Sequence, residues 1–173
     1  TAIGHIAGNA VTTGLVNTLV GGLAGDAITT GNDNTTLGYG SLSANTASNR
    51  NTAVGSATLA AFNVTTDTHT YNTALGYEAG GSVTTGQRNV LVGGLAGDAL
   101  TDADDNVAMG TSALTTDTLG SRSVAIGKES LAVQNFTTAT NSHNTAVGAF
   151  SGNAVTTGTR NTLIGALAGA ALT

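Results

Sequence analysis

The sequence predicts an all-β fold, a parallel β-solenoid (β-roll) of ten coils. A pentad of the form Asn-Thr-Ala-Val-Gly returns along the whole chain at spacings of 17 or 21 residues. Such a unit is too short for the helix pairs of helical solenoids, whose repeats run about 33 to 47 residues. Gly, Thr, Asn and Val are also poor helix formers. One β-coil per unit, stacked on its neighbours, fits both observations.

The pentads define two columns of equivalent residues, and positions below are counted from the first residue of each pentad. Position one is Asn in eight of the nine coils that contain it and Ser123 in the other; the Asn residues are Asn17, Asn34, Asn51, Asn72, Asn89, Asn106, Asn144 and Asn161. Position five is always Gly: Gly4, Gly21, Gly38, Gly55, Gly76, Gly93, Gly110, Gly127, Gly148 and Gly165. We expect Asn to form a ladder between coils and both residues to accept left-handed backbone at the corners.

A second period groups the coils in fours. The two 21-residue coils start at residues 51 and 123, and residues 17–88 align with residues 89–160. Partial blocks, 1–16 and 161–173, lie on either side. The chain is therefore predicted to be one repeat array over residues 1–173, with strand and corner alternating twice in each coil.

Alternation within the pentad predicts which strand face is buried. Thr or Val at position two and an aliphatic residue at position four are expected to face the core of the coil. Position three would then face outward, yet it is apolar in nine of ten coils. Because strands apolar on both faces are usually covered on both, we expect lateral packing into a homotrimer. The candidate inter-chain residues are Leu19, Leu91 and Leu163.

The last residue of successive coils forms a column that carries most of the cations. Its charged members are Asp33, Arg50, Arg88, Asp105, Arg122 and Arg160. Asp33 lies one coil before Arg50, and Asp105 lies between Arg88 and Arg122. These neighbours predict ion pairs between adjacent coils, each worth about 0 to 1 kcal/mol. This interpretation is favoured over an anion-binding stripe.

Composition argues against most kinds of chemistry. Charged residues make up 9% and aromatic residues 3% of the chain, Cys is absent, and the net charge is −5. The three His residues fall in different coils, so neither a catalytic triad nor a metal trio emerges. We expect no enzyme, no cofactor, no nucleic-acid binding and, because no apolar run reaches about 18 residues, no membrane insertion by this segment.

Two weaker candidates remain. Asp102, Asp104 and Asp105 resemble the start of a calcium loop, but the following Gly and the distant Glu are missing, which favours a solvated turn. Position thirteen is Thr in every 17-residue coil, from Thr12 to Thr173, as in an ice-binding face. The second outward Thr column that such a face needs is missing, which favours a structural hydroxyl ladder.

Two families are similar to these repeats over the whole chain. Ser123-Val124-Ala125-Ile126-Gly127 resembles the head repeats of YadA-like trimeric autotransporter adhesins, which fold as left-handed parallel β-rolls in trimers. The pattern from Asn144-Thr145-Ala146-Val147-Gly148 through Thr156-Thr157-Gly158 to Asn161 resembles the repeats of phage tail-fibre proteins. Both resemblances imply a homotrimeric fibre that is extracellular, on a cell surface or on a virion.

The expected function is the structural shaft of such a fibre, which presents or forms an attachment surface. Four residues of the longer coils, expected to bulge, are candidates for contact with a host-cell surface receptor: His69, Tyr71, Asn141 and His143. The alternatives are an adhesin head that binds the host directly, an extracellular filament that self-assembles by head-to-tail stacking, and an ice-binding solenoid.

Overall fold

The computed structural model describes residues 1–172, and these form a parallel β-solenoid without helices. Each of ten coils contributes one short strand to a single sheet. The strands are β1 (Ala2–Ile3), β2 (Thr18–Val20), β3 (Thr35–Leu37), β4 (Thr52–Val54), β5 (Thr73–Leu75), β6 (Val90–Val92), β7 (Val107–Met109), β8 (Gly120–Ser121), β9 (Val124–Ile126), β10 (Thr140–Asn141), β11 (Thr145–Val147) and β12 (Thr162–Ile164).

The main sheet contains ten parallel strands in the order β1-β2-β3-β4-β5-β6-β7-β9-β11-β12. Equivalent positions pair throughout; for example, Leu91 of β6 lies opposite Ala108 of β7. The predicted β-solenoid is thus confirmed. The expectation of two strands in every coil is wrong, since within residues 1–172 only β8 and β10 form a second, two-stranded sheet. Turns make up most of each coil because its corners are so tight.

Four places of the coil adopt positive φ in every coil in which they occur: positions five, seven and nine and the last residue. Position five is always Gly, whereas the others accept larger residues such as Leu95, Leu131 and Arg88. The expectation that Asn takes left-handed backbone is wrong. The residue before it does so instead, which frees the Asn side chain to bond within the coil.

Position three points into the coil and not outward. Leu19 and Leu91 are almost completely buried, and Leu163 packs half-buried against the same core. Their predicted role as inter-chain residues is therefore wrong, and so is the predicted burial of positions two and four. The strand is only three residues long, and its middle residue faces an interior so narrow that Ala fills this position in most coils.

The core is filled by leucines that alternate between two positions. Where position three is Leu, as at Leu19 and Leu91, position nine is Gly. Where position nine is Leu, position three is Ala or Thr; these core leucines are Leu42, Leu59, Leu114 and Leu131. In each coil of these two kinds, positions three and nine together supply one leucine, from one side or the other. Position twelve adds a second large buried side chain in several coils, such as Ile28, Phe62 and Leu100.

Most of the extra residues of the longer coils lie slightly earlier than predicted. Asn63 and Asn135 remain in register with the next coil. His69 pairs with Asn49 and Thr140 with Gly120 of the preceding coil, an offset of 20 residues where a regular coil has 17. Three of the four extra residues therefore fall between residues 63 and 69 and between 135 and 140, and the fourth lies after His69 and after Asn141. The candidate contact residues His69, Tyr71, Asn141 and His143 thus lie where each bulge ends.

Candidate functional site

The outer face of the ten-stranded sheet runs along the whole array. Positions two and four of every strand point outward on it, so it carries a column of Thr or Val beside a column of aliphatic residues. Several members of the aliphatic column are strongly exposed: Ile3 60%, Leu37 50%, Leu75 48%, Met109 40% and Ile164 72%. A stripe of apolar side chains therefore runs along the whole array, opposite the core side of the same strands.

The Asn column at position one joins the coils from inside. Asn89 is fully buried; its Oδ1 accepts the backbone N–H of Asn106 in the next coil at 3.0 Å, and its Nδ2 donates to the Ala103 carbonyl of its own coil at 2.8 Å. The same pair of bonds recurs at Asn34, Asn72 and Asn106, with Ser123 as the N–H donor in the last case. Each side chain thus closes one coil and attaches the next.

The charge column forms ion pairs between adjacent coils. Arg88 Nε lies 2.6 Å from Asp105 Oδ1, and Arg50 Nε lies 3.6 Å from Asp33 Oδ2. Arg122 is more loosely placed, 3.8 Å from Asp105. The hydrogen bond from Arg88 is the main reason why the pKa of Asp105 lies below its ordinary value. All these groups are well exposed, so each pair adds only about 0 to 1 kcal/mol.

The three carboxylates of the calcium candidate are engaged by neighbouring donors. Asp102 accepts a hydrogen bond from Thr85, Asp104 accepts one from the backbone N–H of Gln87, and Arg88 donates to both Asp104 and Asp105. Within residues 1–172, no three His, Cys, Asp or Glu side chains are grouped so that they could hold a metal ion. The structure does not bring Asp102, Asp104 and Asp105 together as a ligand set.

The first of the longer coils carries a small aromatic cluster. Arg50 donates to the Tyr71 hydroxyl at 2.8 Å, its guanidinium carbon lies 5.7 Å from the centre of the Tyr71 ring, and His69 meets that ring edge-on at 6.1 Å. The equivalent residues of the second block are Asn141 and His143, which are exposed. The four candidate contact residues therefore form two different surfaces, only the first of which is held by internal contacts.

A buried polar network that joins the coil of residues 106–122 to the second longer coil was missed by sequence reasoning. Asp117 is fully buried; its Oδ1 accepts backbone N–H groups of Gly120 and Phe136, and its Oδ2 accepts from Gln134 Nε2 at 2.6 Å. Burial, only partly offset by these bonds, raises the pKa of Asp117. The signal was present in the sequence, because position twelve is aliphatic or aromatic in most other coils.

The Thr column at position thirteen bonds along the array. The hydroxyls of Thr29, Thr84 and Thr101 each donate to the carbonyl of the position-thirteen residue in the next coil at 3.1 to 3.2 Å. Thr173, the last member of this column, lies outside the described residues. These hydroxyls donate hydrogen bonds between coils, as a structural ladder requires.

Concave sites are shallow in the body of the array. A surface depression of about 240 Å³ contains two carboxylates and small neutral side chains; its lining residues are Ala57, Ala60, Glu78, Gly81, Ser82 and Asp98. No lining residue is a His, Lys or Cys that could act on a substrate with these carboxylates. In the described part of the chain, no helix is long and apolar enough to cross a membrane.

Comparison of the chain with protein-family models, curated proteins and solved structures finds no match.

Proposed function

We propose that this chain is a non-enzymatic structural shaft of an extracellular or virion fibre, in which three copies pack side by side through the outer sheet face. The observation that supports this proposal is the exposed aliphatic column at position four. Parallel sheets are normally covered on both faces. Here the core covers the inner face of the sheet, and the exposed aliphatic stripe on the outer face is available for packing against further copies.

The geometry favours identical chains as the covering partner. The stripe repeats with the coil, so a second array of the same period can align with it along its full length, and residue after residue meets an equivalent partner. The face carries Thr, Val, Leu, Ile and Met but none of the chain's charged residues at its two outward positions. Depletion of charge with enrichment of aliphatic side chains is typical of the buried centre of an interface.

Substitution of the stripe tests this proposal. We expect the native chain to sediment at about three times 16.8 kDa. Leu37→Asp and Leu75→Asp together should reduce the mass to that of one chain, because a desolvated carboxylate is costly in an apolar interface. Both side chains point away from the core, so the circular dichroism spectrum should be retained. Thr116→Asp, an exposed substitution away from the sheet face, is the matched control and should leave the mass unchanged.

A native mass of 16.8 kDa at micromolar concentration would contradict the proposal. Ice binding is a second candidate function of the same sheet face. The two outward columns of that face lie two residues apart, as in an ice-binding surface, and position two is Thr in β2, β3, β4, β5, β11 and β12. A monomer that shows thermal hysteresis, lost in the Leu37→Asp, Leu75→Asp variant, would support ice binding instead. A trimer that buries this face cannot present it to ice.

A further inference from the structure

The buried polar network around Asp117 holds a serine hydroxyl against a glutamine side-chain amide. Ser123 Oγ accepts a hydrogen bond from Gln134 Nε2 at 2.8 Å, so the hydroxyl oxygen lies beside the amide nitrogen, one bond from the amide carbon. Both side chains are fully buried. A hydroxyl group fixed next to a carboxamide in a site that excludes water can react with it, because the groups cannot separate and hydrolysis does not compete.

The carbonyl end of the Gln134 amide is polarised by Asn144. Asn144 Nδ2 donates to Gln134 Oε1 at 2.7 Å, and the same nitrogen donates to the Gly158 carbonyl at 2.6 Å. Asn144 is fully buried, so these two bonds fix its orientation. When a nucleophile attacks an amide carbon, negative charge moves to the amide oxygen, and a fixed N–H donor stabilises that charge. Asn144 therefore stands where such a donor is needed.

The nitrogen end of the same amide faces a carboxylate. Gln134 Nε2 donates to Asp117 Oδ2 at 2.6 Å. Burial raises the pKa of Asp117, so its carboxylate is a stronger base than an exposed one. Positive charge develops on an amide nitrogen as it takes up a proton and leaves as ammonia. The carboxylate of Asp117 lies in contact with the atom on which that charge appears, and it stabilises the leaving group.

Ser142 sets the direction of the Ser123 hydroxyl. The Ser142 hydroxyl donates to the Ser121 carbonyl at 3.1 Å, which uses its single hydrogen. The contact of 2.6 Å between Ser142 Oγ and Ser123 Oγ therefore uses the hydrogen of Ser123. The lone pairs of Ser123 Oγ are thus left to face Gln134.

The equivalent coils of residues 17–88 serve as an internal comparison. The residues found 72 positions before Asp117, Ser123 and Gln134 are Asn45, Asn51 and Phe62. Carboxylate, hydroxyl and amide are thus exchanged together at three buried positions. Ser123 also has no side-chain amide and cannot make the two bonds that Asn makes in the ladder. The ladder is therefore interrupted in the one coil where these three groups meet.

We propose that Ser123 and Gln134 form an intramolecular ester, with loss of ammonia, across the interior of the second longer coil. A lone pair of Ser123 Oγ forms the bond to Gln134 Cδ, and the carbonyl electron pair moves to Oε1. The hydroxyl proton passes to Nε2, the Cδ–Nε2 bond breaks, the carbonyl re-forms, and Nε2 leaves as ammonia. The reaction consumes no other reactant.

The ester joins positions one and twelve of the same coil, so it forms within a single chain and does not depend on lateral packing. A covalent link between these positions restricts the unfolded coil in the way that a disulfide restricts a loop. The ester would therefore hold the second longer coil closed when the array is pulled along its length.

Tryptic digestion with mass spectrometry tests this proposal. Trypsin cuts after Arg122, Lys128 and Arg160, so residues 123–128 and 129–160 separate unless the ester joins them. The folded native chain should weigh about 17 Da less than its sequence mass, because one ammonia molecule leaves. The digest should contain the two segments as one linked species, and fragmentation should place the link between Ser123 and Gln134.

Two variants and one control identify the reacting groups. Ser123→Ala and Asp117→Asn should both keep the full sequence mass, whereas Ser130→Ala should lose ammonia as the native chain does. Ser130 is a buried serine of the same coil whose hydroxyl donates to the Ala146 carbonyl at 3.1 Å. Asn stands at the position of Asp117 in the first block, and Ala stands at the position of Ser130 in several coils, so these variants should retain the native circular dichroism spectrum.

Three results would overturn the proposal. The first is a folded native chain that retains its full sequence mass after prolonged incubation, which would leave the network as hydrogen bonds alone. The second is a loss of ammonia that maps to an Asn residue and not to Ser123 and Gln134. The third is a loss that persists in Ser123→Ala or in Asp117→Asn.

Discussion

Replacement of Gly93 by Ala should be among the most damaging substitutions in the array. Gly93 has a φ of 133°, a backbone conformation that L-residues rarely adopt, and an added Cβ would lie 2.6 Å from the carbonyl carbon and oxygen of Gly110 in the next coil. Those atoms are backbone and cannot turn away. Relief requires the two coils to separate, which would strain the β6–β7 pairing beside them.

The magnitude follows from two contributions. A strained backbone conformation costs about 1 to 3 kcal/mol, and overpacking in a close-packed region costs about 1 to 3 kcal/mol more. We therefore expect Gly93→Ala to lower the free energy of unfolding by about 4 kcal/mol. Gly40 provides the matched control: its φ is 62°, and nothing lies within 4 Å of its Cβ position. Gly40→Ala should lower the free energy of unfolding by only about 1 kcal/mol, the cost of a left-handed backbone conformation for an L-residue.

Two measurements together check this prediction. Urea denaturation followed by circular dichroism compares the free energies of unfolding, and hydrogen exchange compares the protection of the amide of Gly110, which donates to the Val92 carbonyl at 2.7 Å. Gly93→Ala should reduce that protection by at least about 100-fold, as a loss near 3 kcal/mol requires, while Gly40→Ala leaves it nearly unchanged. If the two variants lose equal stability, close contact between coils is not what position five provides.

Three further substitutions test the interior. Thr36→Val should raise the free energy of unfolding by about 1 to 2 kcal/mol in urea denaturation, because the buried Thr36 hydroxyl has no hydrogen-bond partner among residues 1–172; no gain would mean that the hydroxyl is satisfied. Asn89→Ala should cost about 3 kcal/mol in the same assay, since it leaves the Asn106 N–H and the Ala103 carbonyl unpaired; a loss below about 1 kcal/mol would contradict the ladder. Asp117 has a raised pKa in the folded chain, so the folded state holds its proton more tightly than the unfolded state, and its contribution to stability should decline as pH rises from the ordinary Asp value to the raised one. Thermal unfolding across that range should show this decline in the native chain and not in Asp117→Asn, and a slope of opposite sign would refute it.

The architecture could be predicted from the sequence because the repeat length and the poor helix formers leave few alternatives. The direction of the strand faces could not be predicted correctly, and Leu91 shows why. In a wide core, the larger aliphatic residues of an alternating strand point inward, which led to the expectation that positions two and four are buried. Beside the strand of this coil the interior is narrow, and positions three and nine together hold no more than one leucine, so the small residues at position three mark the inside.

The hydrogen bonds of the polar interior also could not be predicted from the sequence pattern. Asn89 was expected to form a ladder, but the route of its bonds, from one coil's carbonyl to the next coil's N–H, depends on the left-handed backbone of Arg88 before it. Asp117 breaks an aliphatic column, and sequence alone does not say whether such a residue faces inward. Its burial depends on Gln134 in the next coil, a partner 17 residues away that only the stacking brings near.

Stacking also explains why the outer face of the sheet, as well as the interior, carries aliphatic side chains. A single coil buries too little apolar area to offset the roughly 1.5 kcal/mol of conformational entropy that each ordered residue loses. Contacts beyond the coil must supply the rest, and stacking supplies them on two sides only. The outer stripe, from Ile3 to Ile164, then offers a third side. The lateral packing that we propose would therefore extend the same requirement that holds one coil to the next.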